Sequence, residues 1–469
     1  MTTPHRVALA LFIFATFAFL HVISAVNPSF PITPDTHSYV APLPTMLAEG
    51  RFATDDGPET FRTPGYPLLL LPLYALGGDA GLLLVPAMQF LLLGLTGIVA
   101  SRMTALAFPD RPHAPAAALF LVLFNPTLLI NACRIMTEIP FTLAVACATW
   151  CMLLGLRAGR VRAAALCAGF SMLTVATFIR PIALYLPWVA AACAIVTLLR
   201  RALPLRTALV ALMLVAHIIA TGAWTERNAR LADMPSFSTA ADYALYEYIA
   251  SAVLAVHDGR DWQTVRHEHQ ALAAALPPRE RHVFMRREGL RILAEHPAAA
   301  LRVGLRGALP LLLQSSTGHI PELLGQRHGG SGIIYKFVSM PLGDFIAHVL
   351  REERLLVASL AAGSAYLAAL WGLLLYGFAT ECRTPHTATA GRLRLPRAEI
   401  VLPLALAACL LALSAGPMSV DRFRAPVVPL VAMVAGAGLS RIAERVAARR
   451  KRPDGDPTDD TAHSPTPSR

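Results

Sequence analysis

The residues with the clearest chemical potential lie just after the first long apolar segment of the chain. Residues 34–39 contain Asp35, His37 and Tyr39, and Arg62 follows in the same polar stretch. Ionisable side chains beside a membrane span are costly to keep, so they indicate function by default. A carboxylate there can take a proton from a hydroxyl group, and an arginine can hold a phosphate group through paired N–H donors.

The composition predicts that membrane helices position these residues. Of the 469 residues, 55% are hydrophobic and only 15% are charged, against about 25% charged in ordinary soluble domains. Several continuous apolar segments approach the roughly 20 residues that a spanning helix needs, and within lipid only helices or closed barrels satisfy the backbone. A net charge of +11 would suggest nucleic acid for a soluble protein. Here arginine clusters are typical of cytoplasmic loops, so no nucleic-acid partner is predicted.

The apolar segments divide the chain into four parts. Residues 1–229 are predicted to form an amino-terminal membrane module, with its catalytic first outer loop at 27–65. Residues 230–353 are an outer-face segment of interfacial helices or short spans, residues 354–443 form the last membrane helices, and residues 444–469 are a disordered cytoplasmic tail. The predicted fold class is an all-α polytopic membrane protein with about 10–13 transmembrane helices and outer-face interfacial helices.

Arginine-rich loops orient these helices. They occur at 157–162, 200–206 and 383–397 and in the tail, and the positive-inside rule assigns that side to the cytoplasm. Counting spans from there brings five ionisable clusters to the opposite, outer face. They contain Asp35, Glu138, Arg180, Arg227 with Asn228, and Arg422 with Arg424. This convergence indicates a functional site at the outer face.

Each of these residues also has a structural interpretation. Asp35 fits a solvated loop or a helix cap, and Glu138 lies at a predicted helix start, where the helix dipole stabilises an acid. Arg227 follows Trp224, so it fits an anchor in the headgroup layer. The charge rule does not ask for arginines on the outer side, however, which leaves phosphate binding equally open for Arg227 and the other outer-face arginines.

A transfer reaction at the outer face has no ATP to draw on, so its donor must arrive already activated. A lipid phosphate ester fits because its tail partitions into the bilayer. Moving its sugar to a hydroxyl group needs a carboxylate that takes the proton, which fits Asp35. It also needs cations that stabilise the departing phosphate, which fits Arg227, Arg422 and Arg424. We expect Glu138 to orient the acceptor or a water molecule.

Five short motifs resemble the glycosyltransferase family 39-like proteins, a group that includes the protein O-mannosyltransferases and the lipid A aminoarabinose transferases. The motifs are the Asp35 and Arg62 stretches of the first outer loop, 137–141 in the second, 178–181, 224–228, and 421–426 in the last outer loop. Each motif is weak alone, but five in the correct order along nearly the whole chain are fairly specific.

The resemblance implies the C-type glycosyltransferase fold and an inverting transfer of a hexose or pentose from a polyprenyl-phosphate sugar. Asp35 matches the family's catalytic aspartate, and Arg422 and Arg424 match positions expected near the donor phosphate. Two residues depart from the pattern, because Phe423 replaces the usual tyrosine and Glu138 has no neighbouring aspartate. The predicted substrate-binding residues are His37, Tyr39, Arg62, Arg180, Arg227, Asn228, Arg422 and Arg424.

The sequence therefore predicts a multi-pass glycosyltransferase of a bacterial inner membrane, with cytoplasmic termini and a periplasmic active site. Its predicted partners are a polyprenyl-phosphate-linked sugar donor and the lipid bilayer, with a lipid, glycan or protein acceptor left open. No cofactor is predicted with confidence. A divalent metal is compatible but not required, and His267 and His269 lack further ligands at metal-site spacing. Two alternatives stay open. They are a transporter or flippase of lipid-linked sugars, although no inverted repeat is found, and a non-catalytic protein of envelope assembly.

Overall fold

The computed structural model describes residues 3–156, 162–326, 343, 347, 351, 353–383 and 398–450. These residues are almost entirely helical, and the one sheet among them is a hairpin of Ala53–Thr54 (β1) and Gly57–Pro58 (β2). Eight helical segments in this part of the chain are long and apolar enough to cross a membrane, or up to nine if a bent helix pair counts as one span. The predicted all-α polytopic fold class is confirmed.

The helices of the amino-terminal half are mostly long and apolar. They are α1 Thr3–Ala25, α2 Thr36–Val40, α3 Leu43–Glu49, α4 Gly65–Gly77, α5 Val85–Ala107, α6 Ala114–Leu123, α7 Pro126–Ala132, α8 Glu138–Leu156, α9 Arg162–Ile179, α10 Leu186–Arg200 and α11 Pro204–Ala232. Two 3₁₀ segments, Gly78–Leu84 and Pro181–Tyr185, join neighbouring helices without an intervening loop.

The remaining helices are short or amphipathic up to α17 and apolar from α18 onwards. They are α12 Ala240–Tyr243, α13 Ser251–Asp258, α14 Trp262–Ala274, α15 Pro278–Glu295, α16 Pro297–Leu313, α17 Ile320–Leu323, α18 Arg354–Arg383, α19 Ala398–Ser414 and α20 Val428–Arg450. A π-helical turn at Ala244–Ala250 and 3₁₀ segments at Ser316–His319 and Asp421–Val427 complete the described part of the chain.

The span count is lower than the predicted ten to thirteen. The 43-residue segment Gly65–Ala107 runs through α4, a 3₁₀ segment and α5 as one continuous apolar stretch. Helix α19 is apolar but shorter than the other candidates. The predicted helix or span at 333–350 lies outside the described residues, apart from 343 and 347.

A span predicted at 116–130 is broken in two. Helices α6 and α7 meet at a 49° bend. Asn125 is extended there, and its side chain accepts the Leu128 N–H at 3.1 Å, which caps α7. Pro126 cannot continue the hydrogen-bond ladder of α6, and it disfavours a helical conformation for the residue before it. The bend therefore follows directly from the Asn-Pro pair.

Helices α8 and α20 form the centre of the bundle, and α1 and α11 lie at its outside. The apolar windows of α8 and α20 are 72% and 83% buried, against 17% for α1 and α11. Small residues allow the close packing of α20. A Cβ atom on Gly438 would lie only 2.5 Å from the carbonyl oxygen of Leu373 in α18. Close approach through small residues is typical of membrane helix pairs.

Residues 246–303, which lie between α11 and α18, contain a small apolar cluster of their own. Tyr246, Val253, Met285 and Ile292 are buried against one another. The predicted amphipathic helix beginning after Pro277 is present as α15, and the predicted helix at 298–313 is present as α16.

Candidate active site

Asp35 lies at the meeting point of two arginines from opposite ends of the chain. Its Oδ1 accepts an N–H of Arg62 at 2.9 Å, and its Oδ2 accepts an N–H of Arg422 at 2.8 Å. Asp35 immediately precedes α2, but its side chain makes no cap hydrogen bond to that helix. The helix-cap interpretation of Asp35 is therefore wrong, because the carboxylate is used in tertiary ion pairs.

Arg422 extends the contact to a second acid. Its Nε lies 3.8 Å from Oε1 of Glu138, the first residue of α8. The same oxygen accepts an N–H of Arg180 at 3.0 Å. These five side chains, Asp35, Arg62, Glu138, Arg180 and Arg422, are called the ionic cluster below.

Local backbone features bring the loops of the cluster together. The Thr36 hydroxyl donates to the carbonyl of Ile135 at 3.2 Å, which ties the first polar loop to the turn before α8. A Cβ atom on Gly65 would lie 2.5 Å from the carbonyl oxygen of Phe178. Only glycine permits this approach, which places the loop carrying Arg62 against the end of α9, next to Arg180.

The ionic cluster carries two carboxylates against three guanidinium groups. Burial works to raise the pKa of the Asp35 carboxyl, but the adjacent Arg422 and Arg62 guanidinium groups outweigh it and hold that pKa below its usual range. The Asp35 side chain is 34% exposed and that of Arg422 is 28% exposed, whereas Glu138 is 1% exposed. The cluster thus combines a spare positive charge with an ionised carboxylate that solvent can reach.

Three buried polar atoms around Glu138 are uncommitted. Glu138 Oε2, the Thr137 hydroxyl and the Tyr66 hydroxyl have no hydrogen-bond partner in the described part of the chain. Buried polar groups are nearly always paired, so atoms without partners mark a place for a water molecule or a ligand. The sequence motifs at 62–67 and 137–141 contribute all three.

Aromatic rings hold the arginines of the cluster. The Arg62 guanidinium lies over the Tyr39 ring, 4.3 Å from its centroid. Phe423 lies beside both Arg180 and Arg422, at 4.9 and 5.2 Å from their guanidinium carbons. Cation–π contacts of this kind contribute about 0.5–1 kcal/mol each at exposed sites. Tyr39 and Phe423 therefore orient the cations.

Arg424 was predicted to bind phosphate with Arg422, and the structure places it elsewhere. Its side chain is completely buried. It donates to the carbonyls of Leu311 and Gln314, the second at 2.9 Å, and to the Thr127 hydroxyl at 3.1 Å. The side chains of Arg422 and Arg424 point in different directions from the 3₁₀ segment that begins at Asp421. Arg424 therefore connects helices and does not reach the ionic cluster.

Arg227 and Asn228 also lie apart from the ionic cluster. Arg227 donates to the carbonyls of Glu59 at 2.7 Å and Phe52 at 2.5 Å. The Asn228 amide, itself buried, donates to the carbonyl of Ser236 at 2.8 Å. Because these donors already satisfy backbone carbonyls, the pair secures the hairpin loop to the end of α11. In this arrangement Arg227 binds backbone carbonyls, where a phosphate contact was predicted.

His37, the remaining predicted binding residue, is exposed on α2. Sequence reasoning also left out Arg134, which pairs with Glu322 at 2.9 Å and lies 4.7 Å from the centroid of the Phe30 ring. The sequence indicates Arg134 by the same criterion as the others, because it is one more arginine on the predicted outer side. No group of three or more His, Cys, Asp or Glu side chains that could hold a metal ion occurs among the described residues.

No family profile matches this chain, and no curated protein matches it. Among solved structures, ArnT from Cupriavidus metallidurans in the apo state aligns at 16% identity over 94% of this chain and 79% of that chain, with a TM-score of 0.39. The same protein bound to undecaprenyl phosphate aligns at 15% identity with the same coverage and a TM-score of 0.41.

Archaeal oligosaccharyltransferase AglB from Archaeoglobus fulgidus, in complex with an inhibitory peptide and a dolichol-phosphate, aligns at 12% identity over 94% of this chain and 51% of that chain, with a TM-score of 0.46. ArnT and AglB are C-type membrane glycosyltransferases, the group that the five sequence motifs resemble. All three TM-scores are below 0.5.

Proposed function

We propose that this chain is a membrane glycosyltransferase that moves a sugar from a polyprenyl-phosphate donor to a hydroxyl group of its acceptor at the periplasmic face of the inner membrane. The observation that carries the proposal is the position of Asp35, held between Arg62 and Arg422 with part of its carboxylate open to solvent. A base for a hydroxyl proton and cations for a phosphate group thus lie within one ion-pair network.

The donor phosphate binds to Arg422 and, next to it, to Arg180 or Arg62. The ionic cluster carries one more positive than negative side chain, so it favours an added anion. Arginine suits a phosphate that leaves as an anion, because its planar donors can hold two oxygens at once. The polyprenyl tail stays in the bilayer.

Asp35 takes the proton of the acceptor hydroxyl. The acceptor oxygen attacks the anomeric carbon, the bond from that carbon to the phosphate oxygen breaks, and polyprenyl phosphate departs with inversion at the sugar. A carboxylate with a lowered pKa is a weak base while both arginines hold it. Donor phosphate competes with Asp35 for Arg422, and loss of that partner makes the carboxylate more basic when the donor is bound.

Glu138 prepares the acceptor side. Its Oε1 is fixed by Arg180 at 3.0 Å, whereas its Oε2 is buried and unpartnered in the described part of the chain. A free carboxylate oxygen can accept a hydrogen bond from an acceptor hydroxyl or a bound water. The Thr137 hydroxyl, on the residue before Glu138, and the Tyr66 hydroxyl are also buried without a partner in the described part of the chain, and each can donate a hydrogen bond.

The test is sugar transfer by the purified protein in detergent. Radiolabelled polyprenyl-phosphate sugars are supplied with an extract of the native membrane lipids and glycans as acceptor, and label leaving the donor for a new product is measured. Enzyme-dependent transfer supports the proposal. Movement of intact donor across vesicles without transfer would identify a flippase, and neither activity would leave a non-catalytic envelope protein.

The matched variants are Asp35→Asn and Asp55→Asn. Asp55 is exposed in the turn of the same loop's hairpin, away from the ionic cluster. We expect Asp35→Asn to lower transfer by roughly 10²- to 10⁴-fold, the usual contribution of a general base. Expression and membrane insertion of this variant stay intact, and Asp55→Asn transfers normally. Full activity of Asp35→Asn would remove Asp35 from the mechanism.

A further inference from the structure

A cavity of about 490 Å³ lies beside α16, and no residue of the ionic cluster lines it. Its walls come from α13, the start of α14, α16 and the loop at 416–417. Three arginines, Arg260, Arg302 and Arg306, line it together with Trp262, and its described lining contains no acidic residue. Cavities of 300–1,000 Å³ are the usual size for small ligands.

Two of the three arginines are uncompensated. Arg302 and Arg306 are exposed and make no hydrogen bond or ion pair within the described residues. Arg260 is paired with Glu268. The cavity therefore has a net positive charge that neighbouring side chains leave unbalanced.

Two acids, Asp258 and Asp261, adjoin the cavity without being part of its described lining. The indole N–H of Trp262 is buried and has no acceptor in the part of the chain that the structure describes. Asp261 adjoins the lining but caps α14, accepting the Thr264 N–H at 2.9 Å. Asp258 lies 3.9 Å from His257. An anion in the cavity would thus meet arginines and no carboxylate of the described lining.

Helix α16 presents an apolar stripe to the outside of the protein. Its exposed leucines recur at every fourth position and are 57–64% exposed. They are Leu301, Leu305, Leu309 and Leu313. The residues buried against the protein, Ala299, Val303, Gly307 and Leu311, lie on the opposite side. At 100° per residue, Arg302 and Arg306 lie between these two faces. A helix with leucines on one side and arginines at the edge is suited to the bilayer surface.

We propose that this cavity binds the phosphate headgroup of an anionic membrane phospholipid, whose acyl chains lie along the leucine stripe of α16. Arg302 and Arg306 hold the phosphate through charge-assisted hydrogen bonds. The lipid is anionic and not zwitterionic, because the described lining offers no carboxylate to receive an ammonium group. The leucine stripe requires a lipid and not a free phosphate ion.

The site is coupled to the segment that carries Arg422. A Cβ atom on Gly307 would lie 2.2 Å from the carbonyl oxygen of Gly416, so α16 packs directly on the loop before Asp421. Arg424 donates to two carbonyls at the carboxyl end of α16. A lipid that holds α16 therefore stabilises the Asp421–Val427 segment without entering the ionic cluster.

The experiment measures phospholipid binding to the full-length protein by native mass spectrometry in detergent, with phosphatidylglycerol and phosphatidylcholine as probes. We expect wild type to prefer phosphatidylglycerol and the Arg302→Gln/Arg306→Gln double variant to lose that preference. A charge-assisted hydrogen bond corresponds to roughly a tenfold to hundredfold change in affinity for each arginine. Equal binding of both lipids by wild type, or an unchanged preference in the double variant, would overturn the proposal.

The controls separate this site from general charge and from the proposed transfer reaction. Arg287→Gln removes an exposed arginine of α15 that is not in the cavity lining and keeps the preference. Arg422→Gln also keeps it, even where transfer is lost. Displacement of phosphatidylglycerol by inorganic phosphate at comparable concentration would contradict a lipid ligand. Displacement of phosphatidylglycerol by polyprenyl phosphate in the Arg422→Gln variant would assign the cavity to the donor and overturn the proposal.

Discussion

Two clusters of charged side chains lie towards the two ends of the helical segment Asp421–Ala447. They differ in their balance of positive and negative charge. The ionic cluster at Asp35 has two acids and three arginines, exposed oxygens and unpartnered atoms nearby. The other joins Arg111 and Arg441 to Glu381 and Glu444, at N–O distances of 2.7–3.6 Å. The helix rise between Arg422 and Glu444 amounts to roughly 30 Å, the thickness of a bilayer core.

This difference distinguishes a candidate ligand-binding site from a structural contact in this protein. In the Glu381 cluster the charges cancel. Glu381 pairs with Arg441 of α20 and with Arg111 of the loop between α5 and α6, and Arg111 also pairs with Glu444. That is what a structural joint between the α5–α6 loop, α18 and α20 requires. In the Asp35 cluster, positive charge is left over, and the residues lie in loops or at the ends of helical segments. Spare charge at loop ends is suited to a ligand that brings its own phosphate.

Separate substitutions of Arg422 and Arg424 test this comparison most directly, and we expect their effects to be the largest. Arg422→Gln should raise the donor concentration needed for half-maximal transfer about tenfold to a hundredfold, since a hydrogen bond to a charged group contributes about 1.5–3 kcal/mol. Arg424→Gln should instead lower stability, because removing this buried guanidinium leaves the carbonyls of Leu311 and Gln314 without donors. Donor titrations and thermal unfolding in detergent separate the two. The same loss of donor binding in both variants would contradict the assignment.

Removing a charge from the other cluster should change stability without changing chemistry. Glu381→Gln leaves Arg111 and Arg441 without their shared acid, and breaking a buried ion pair costs about 3–5 kcal/mol. We expect a lower melting temperature and an unaltered transfer rate at temperatures where the variant is folded. A rate that falls with no change in melting would mean that this cluster is also functional.

The pH dependence of transfer should show that the arginines around Asp35 lower the pKa of its carboxyl group. The ionised carboxylate is the active form, and its pKa in the free enzyme lies below the usual range because of Arg422 and Arg62. Activity is therefore kept as the pH falls through the ordinary carboxyl range and is lost only below it. Arg62→Gln removes one of the two cations, so the acid limb of the kcat/KM profile should move to higher pH. An acid limb that stays at the same pH in the Arg62→Gln variant would exclude Asp35 as the titrating group.

The smallest effect is expected at Phe423. Phe423→Tyr keeps the ring between Arg180 and Arg422, so transfer should change by no more than about twofold. Phe423→Leu removes two cation–π contacts of about 0.5–1 kcal/mol each, which predicts a fall in kcat/KM of roughly five- to thirtyfold. Parallel initial-rate measurements test both. Equal rates for the leucine variant and wild type would show that the ring does not orient the arginines.

Much of the helical architecture follows from local properties of the sequence. Continuous apolar segments of sufficient length form helices in any membrane arrangement, which is why α1, α11 and α18 appear close to their predicted positions. The amphipathic α15 begins where Pro277 and Pro278 indicate. The break between α6 and α7 follows from the Asn125-Pro126 pair, although the apolar character that predicts a single span continues across it.

The partners of individual side chains depended on the tertiary structure. Sequence alone nominated Asp35, Glu138 and five outer-face arginines, because ionisable groups beside apolar segments stand out by type. It could not separate Arg422 from Arg424, two positions apart in one motif, because only packing against α16 decides which guanidinium is buried. Hydropathy determined which segments enter the membrane. The directions in which the loop ends point determined which charges meet, and those contacts are non-local and leave no periodic signal in the sequence.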